Sequence, residues 1–125
     1  MEPLKTFFFD TYAFYEIIRG NPNYKKYTKD IAIITTKLNL MELHYGLLKD
    51  AGKEEADNKY DKYLAFIVNI TDEIIKEANE FKLFHKEKKL SYVDCIGYIT
   101  AKKHSVPFLT GDMQFEKIQG VEFVK

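Results

Sequence analysis

The hydrophobic positions of this chain fall into two kinds of run. Four are short and continuous, over residues 6–9, Ile31–Ile34, 106–110 and 121–124. The first holds three consecutive phenylalanines, Phe7, Phe8 and Phe9. Three adjacent aromatic side chains cannot all face one side of a sheet, so the run suits a strand covered on both faces, as in a parallel sheet between helices. Ile31–Ile34 is of β-branched strand type. Residues 67–70 form a candidate fifth strand. Between the runs lie longer stretches in which apolar residues recur at helical spacing.

The helical stretches come in order. Thr11–Arg19 places Phe14, Ile17 and Ile18 on one side, and Gly20-Asn21-Pro22 stops it. Pro22 suits the opening of a short helix through Tyr27. Thr35 or Thr36 caps a helix running to about residue 49. Its residues Leu38, Leu40, Met41, Leu43, Tyr45, Leu47 and Leu48 cover a wide apolar arc, leaving Thr35, Asn39, Glu42 and Gly46 on a narrow face. A fourth helix is predicted over 53–68. The next begins at Thr71-Asp72, with Ile74, Ile75, Ala78, Phe81 and Phe84 inward. Residues 91–104 are apolar nearly all round, as in a buried helix. Gly111-Asp112 turns into a short helix over 113–117. Strands alternating with helices argue a three-layer α/β/α fold, a parallel sheet of about five strands with right-handed crossovers. No linker or repeat divides residues 1–125, which read as one domain.

Composition adds bounds. The chain of 125 residues is 46% hydrophobic and 15% aromatic, enough for a real core. Its single cysteine, Cys95, excludes an internal disulfide and is natural in a reducing compartment. No secretory pattern opens the sequence and no run reaches bilayer length, so no membrane association and a cytoplasmic location are expected. Nineteen basic residues balance nineteen acidic ones. If four acids gather around a cation, 19 basic groups face 15 acidic ones, a surplus of four. Lysines also group locally at 25/26/29, 86/88/89 and 102/103.

Asp10 follows the first buried strand, where ligands gather in open α/β sheets. Its ordinary alternative role is a helix N-cap. Asp112 follows the 106–110 strand in the same way. Glu42 lies on the narrow face of its helix, one turn before Gly46, a glycine that implies a close approach. Asp94 stands three residues after Ser91, which fits a capping box, yet its neighbours are apolar. If the sheet is parallel, all four share one rim. Four carboxylates cannot all stay ionised together without a cation, and oxygen donors favour Mg²⁺ or Mn²⁺ over zinc.

The segments FFFDT, NLMELHYGL, LSYVDCIGYITA and FLTGDMQF, in this order and spacing, resemble the PIN-domain ribonucleases, in particular the VapC-type toxins of toxin–antitoxin pairs. The likeness spans essentially the whole chain. It implies a metal-dependent endoribonuclease that hydrolyses RNA phosphodiester bonds. Asp10, Glu42 and Asp94 would be the core metal-binding and catalytic acids, and Asp112 a fourth. Thr11 and Thr110 would orient carboxylates by hydrogen bonds. The likeness also implies a cognate antitoxin whose tail covers the acidic site, and a homodimer. Tyr12 departs from the family, where a small residue is common.

RNA would be gripped by Tyr12 and by lysines beside the cleft, with Lys49, Lys102 and Lys103 as candidates. His44, His85 and His104 read as surface or helix-end residues, and Tyr60, Tyr63, Tyr92 and Tyr98 as core or dimer-face residues. An aspartyl-nucleophile phosphatase needs a second acid where Tyr12 stands. A receiver domain needs a late lysine where the chain has Thr110-Gly111-Asp112. A housekeeping RNA-processing PIN nuclease would share the same acids, as would a catalytically silent PIN domain that binds RNA or protein.

Overall fold

A computed structural model describes residues 3–125 of the chain. Strand β1 is Lys5–Phe9, and helix α1, Thr11–Arg19, follows at once. A 3-10 turn over Pro22–Tyr27 leads to β2, Ile31–Ile34. Helices α2 (Lys37–Ala51) and α3 (Lys53–Tyr63) then form a hairpin. Helices α4 (Asp72–Phe84) and α5 (Tyr92–Lys103) precede β3 (Phe108–Thr110), and β4 (Val121–Phe123) is the last strand. The sheet has order β2-β1-β3-β4, and every pair is parallel. This is the α/β architecture the sequence implied.

The phenylalanine run explains the layering. Successive strand residues face opposite sides. Phe7 and Phe9 join a core with Phe14, Leu40, Leu43 and Tyr63, from α1, α2 and α3. Phe8 points the other way, into a core with Ile74, Ala78, Cys95, Ile99 and Phe108. Its ring stacks on Phe108 with centroids 5.5 Å apart. All three phenylalanines are buried, and each contributes roughly 1.5–3 kcal/mol by leaving water.

Three expectations change. The sheet has four strands among the described residues. The candidate at 67–70 amounts to one parallel bridge, Thr35 to Ile67, because Thr36 already caps α2 and leaves no extended chain for residues 68–70 to pair with. Helix α4 buries Ile74 and Ala78 but leaves Ile75 and Phe84 outside, Phe84 at 80% exposure. Helix α2 buries part of its narrow face, Asn39 and Gly46, together with Leu40, Leu43 and Leu47 of the apolar arc, whereas Met41, Tyr45 and Leu48 of that arc are exposed.

Gly46 shows why. A Cβ there would lie 1.3 Å from the Tyr15 hydroxyl. Helix α1 comes that close, and the approach brings Thr11 against Glu42.

Candidate functional site

Asp10, Asp94 and Asp112 lie at the end of the sheet where β1 and β3 finish, and Glu42 reaches the same rim from the second turn of α2. Asp10 continues β1, its amide donating to the Leu109 carbonyl at 3.1 Å. Its backbone carbonyl starts α1, accepting from Ala13 at 2.9 Å. Its side chain makes no capping hydrogen bond, so the N-cap reading does not account for the carboxylate. That group instead accepts from Thr110 Oγ1 at 2.7 Å and, more weakly, from Asn39 Nδ2 at 3.5 Å.

Glu42 is half-buried, and its Oε1 accepts from Thr11 Oγ1 at 2.8 Å. Thr11 also accepts from Asn39 Nδ2 at 3.1 Å. Asn39, fully buried, is held in turn by the Thr36 hydroxyl, which donates to its Oδ1 at 2.6 Å. Asn39 therefore links Asp10 to Thr11, the support of Glu42. Sequence reasoning placed Asn39 on the narrow face of α2 beside Glu42 but gave it no role. Sharing that face, one turn apart, was the available signal.

Asp94 does complete a capping box. Its amide donates to Ser91 Oγ at 3.0 Å, and its Oδ2 accepts from the Ser91 amide at 2.8 Å. Asp112 caps the 3-10 turn Met113–Phe115, accepting from the Gln114 amide at 3.0 Å. Its own amide donates to Thr110 Oγ1 at 3.1 Å. Thr110 thus touches both Asp10 and Asp112. Each of these caps engages one carboxylate oxygen.

Charge crowding is visible in the protonation of the group. Burial pushes Asp10 up to about 7, and the charges of Asp94 and Glu42 add to it, against the Thr110 hydrogen bond. Burial also raises Glu42, with Asp94 contributing and the Thr11 hydrogen bond opposing. Asp94 is raised by burial first, then by Asp112, while the Ser91 amide opposes. The acids therefore act on one another through space. They do not form a closed cage: among the described residues, no three Asp, Glu, His or Cys side chains stand close enough to hold an ion between them. Each carboxylate is tethered by its own hydrogen bond, and like charges keep apart. The donor chemistry nevertheless fits a hard divalent ion, being all oxygen, partly buried and short of positive charge.

The remaining predicted residues divide. Tyr12 stands at this rim, its ring beside Gly111, where a Cβ would lie 2.4 Å from Tyr12 Cε1 and 2.3 Å from the Val124 carbonyl oxygen. Burial raises its hydroxyl pKa, with smaller effects from Glu16 and Asp112. Lys49 lies in the last turn of α2, its ammonium 5.2 Å from the Tyr45 ring. Lys102 and Lys103 end α5, at the opposite end of that helix from Asp94. Lys103 pairs with Glu73 at 2.7 Å and Glu77 at 2.8 Å, and Lys102 with Glu77 at 3.5 Å. The structure does not bring this pair of lysines to the acids. His44 pairs with Asp57 at 2.7 Å, between α2 and α3.

No helix among the described residues is long and apolar enough to cross a membrane. No curated protein matches the sequence. Several solved structures share the fold. Mycobacterium tuberculosis VapC20, described as a sarcin–ricin loop cleaving toxin, superposes with a TM-score of 0.80 at 18% identity, over 95% of this chain and 99% of that one. VapBC2 from Rickettsia felis, bound to a DNA fragment from its promoter, gives 0.72 at 21% identity, over 96% and 99%. A toxin–antitoxin complex from Klebsiella pneumoniae gives 0.71 at 22% identity, over 91% and 93%. The family model described as PIN domain matches residues 7–121, which takes in all four acids and every strand but the start of β1 and the end of β4. The chain belongs to the PIN-domain family.

Proposed function

We propose that this protein is a divalent-metal-dependent endoribonuclease, acting in the cytoplasm as the toxin of a toxin–antitoxin pair. The observation that carries the reading is the convergence of the acids on one rim, where Thr110 bonds both Asp10 and the Asp112 amide and Asn39 bonds both Asp10 and the Thr11 that holds Glu42; burial first, and then the neighbouring charges, raises Asp10, Glu42 and Asp94. Carboxylates raised in this way cluster at functional sites. The toxin reading draws further support from structural neighbours described as toxins and toxin–antitoxin complexes. By the same likeness the partners would be an antitoxin protein and a second copy of the chain.

Asp10, Glu42 and Asp94 would supply the oxygen donors for Mg²⁺ or Mn²⁺, which requires their carboxylates to close in from the positions they hold here, with Asp112 at the rim. When bound, such an ion supplies Lewis acidity, making water nucleophilic near neutral pH and offsetting charge that builds on the phosphate. The chain's own groups do the positioning. Thr110 fixes Asp10, Thr11 fixes Glu42, and Asn39 donates to both Asp10 and Thr11. At neutral pH Asp10 holds a proton part of the time, and that proton must leave before the carboxylate can ligate. The net reaction adds water across one phosphodiester bond, leaving a phosphate monoester on one fragment and a hydroxyl on the other.

The test is cleavage of transfer, ribosomal and messenger RNA by the purified protein. Cleavage should require Mg²⁺ or Mn²⁺, stop with EDTA, and be lost in Asp94→Asn with folding retained. A folded Asp94→Asn protein that cuts as fast as wild type would remove the assignment.

A further inference from the structure

A second feature adjoins the acids and has no part in the scheme above. Between the C-terminal half of α4 and the start of α5 lies a cleft of about 300 Å³, lined by Asn79, Lys82, Leu83, Lys86, Lys88 and Tyr92, at the lower end of the size range of small-ligand sites. Tyr92 opens α5 and is 64% exposed, so of the two roles its sequence context suggested, core or dimer face, the structure excludes the first. Lys82 Nζ sits 4.9 Å from the centre of its ring and also donates to the Leu90 carbonyl oxygen.

The cleft is basic in a chain with no net charge. Residues 82–92 hold four lysines, at 82, 86, 88 and 89, and one acid, Glu87. Among the described residues none of these four lysines pairs with a carboxylate, and Glu87 faces His85 at 3.9 Å. Among the described residues only the lysines at 53, 59, 102 and 103 pair with carboxylates, so what marks this group is its clustering around one exposed ring. Unpaired cations beside an exposed aromatic ring suit a polyanion that carries flat rings.

Gln114 fastens this segment to the acidic rim. Its side chain accepts from the Lys89 amide and donates to the Lys89 carbonyl at 3.0 Å, while its own amide donates to Asp112 at 3.0 Å. Tyr92 stands two residues before Asp94, and the Lys82 charge acts on the Asp94 carboxylate. A strand lying in the cleft would therefore run on toward the acids.

We propose that this cleft is a substrate subsite, in which an unpaired base of single-stranded RNA stacks on Tyr92 while Lys86 and Lys88 hold the flanking phosphates. The inference rests on the ribonuclease reading and adds to it a preference for unpaired RNA and a fixed side of the acids from which the strand enters. Stacking on an aromatic ring needs a base free of its duplex partner, and base–aromatic stacking with cationic flanks is the common mode of single-strand binding.

The experiment is fluorescence anisotropy with a labelled single-stranded RNA oligonucleotide in EDTA, where no cleavage intervenes. Tyr92→Ala should weaken binding roughly 5- to 150-fold, the range that loss of one stacked base implies, and Tyr92→Phe should restore it. Lys86→Ala/Lys88→Ala should lower the slope of log affinity against log salt by about 1.4, from about 0.7 per phosphate contact on a single strand. In Mg²⁺ the Tyr92→Ala loss should appear in KM far more than in kcat. Wild-type protein that binds and cuts RNA, with variants of unchanged affinity and salt slope, would overturn this inference and leave the nuclease reading standing. Wild type that neither binds nor cuts would sink both. If Tyr92→Ala changes self-association in sedimentation and leaves RNA affinity alone, the face is an interface between copies and the subsite is wrong.

Discussion

Replacing Asp10 by asparagine should make the metal-free protein more stable at pH 8 while abolishing its cleavage activity. The carboxyl is 4% exposed, and its folded-state pKa lies at about 7 against an ordinary 3.8. The native state therefore keeps its proton where the unfolded chain has lost it. Between pH 4 and 7 the native state binds more protons, so stability falls as pH rises and levels off above about 7. About three pH units at about 1.36 kcal/mol each puts the ceiling of this penalty near 4 kcal/mol. Asparagine removes the charge and keeps an acceptor for Thr110, but it turns a second amide toward Asn39, 3.5 Å from the present carboxylate. A donor left without a partner costs about 1–3 kcal/mol. The expected net gain at pH 8 is about 1–3 kcal/mol, shrinking toward zero or reversing below pH 5. Urea unfolding of EDTA-treated wild type and Asp10→Asn from pH 5 to 8 measures it. Adding Mn²⁺ at pH 8 should stabilise wild type and leave the variant nearly unmoved. Wild-type stability that is flat across this range, together with a variant less stable at pH 8, would refute the claim that Asp10 is a crowded buried charge.

Two further outcomes follow from the packing. Gly111→Ala should cost about 1–3 kcal/mol, because the new methyl meets the Val124 carbonyl oxygen at 2.3 Å as well as the Tyr12 ring, and backbone cannot step aside cheaply; chemical denaturation reads it, and a loss under 0.5 kcal/mol would mean that the β3–β4 end is looser than described. Lys102→Ala/Lys103→Ala should leave RNA affinity and cleavage within about twofold of wild type, since both ammonium groups are engaged with α4 at the far end of α5; as exposed pairs they are screened by solvent and add little to stability.

Much of this protein could be read from local pattern. The Phe7-Phe8-Phe9 run determined a strand buried on both faces, since alternation sends adjacent side chains to opposite layers whatever the context. Alternating strand and helix signals determined the parallel sheet, and the order of the acids relative to those elements placed them at one rim. Ser91 and Asp94 declared their capping box by spacing alone.

Other features were decided only when elements met. Amphipathic periodicity names a helix's apolar arc, but it cannot say which side another helix will touch. Helix α2 turned Asn39 and Gly46 inward because Tyr15 and Thr11 of α1 needed that space, and this left Met41 and Tyr45 in water. Lys102 and Lys103 looked like the others until Glu73 and Glu77 neutralised them across the α4–α5 contact. Tyr92 was left exposed at the start of a helix that buries Cys95, Ile99 and Ala101. Hydrogen bonding and charge pairing between distant segments depend on three-dimensional proximity, which sequence spacing does not encode. So the chain's order specified which acidic side chains reach one rim, and packing specified which groups face one another.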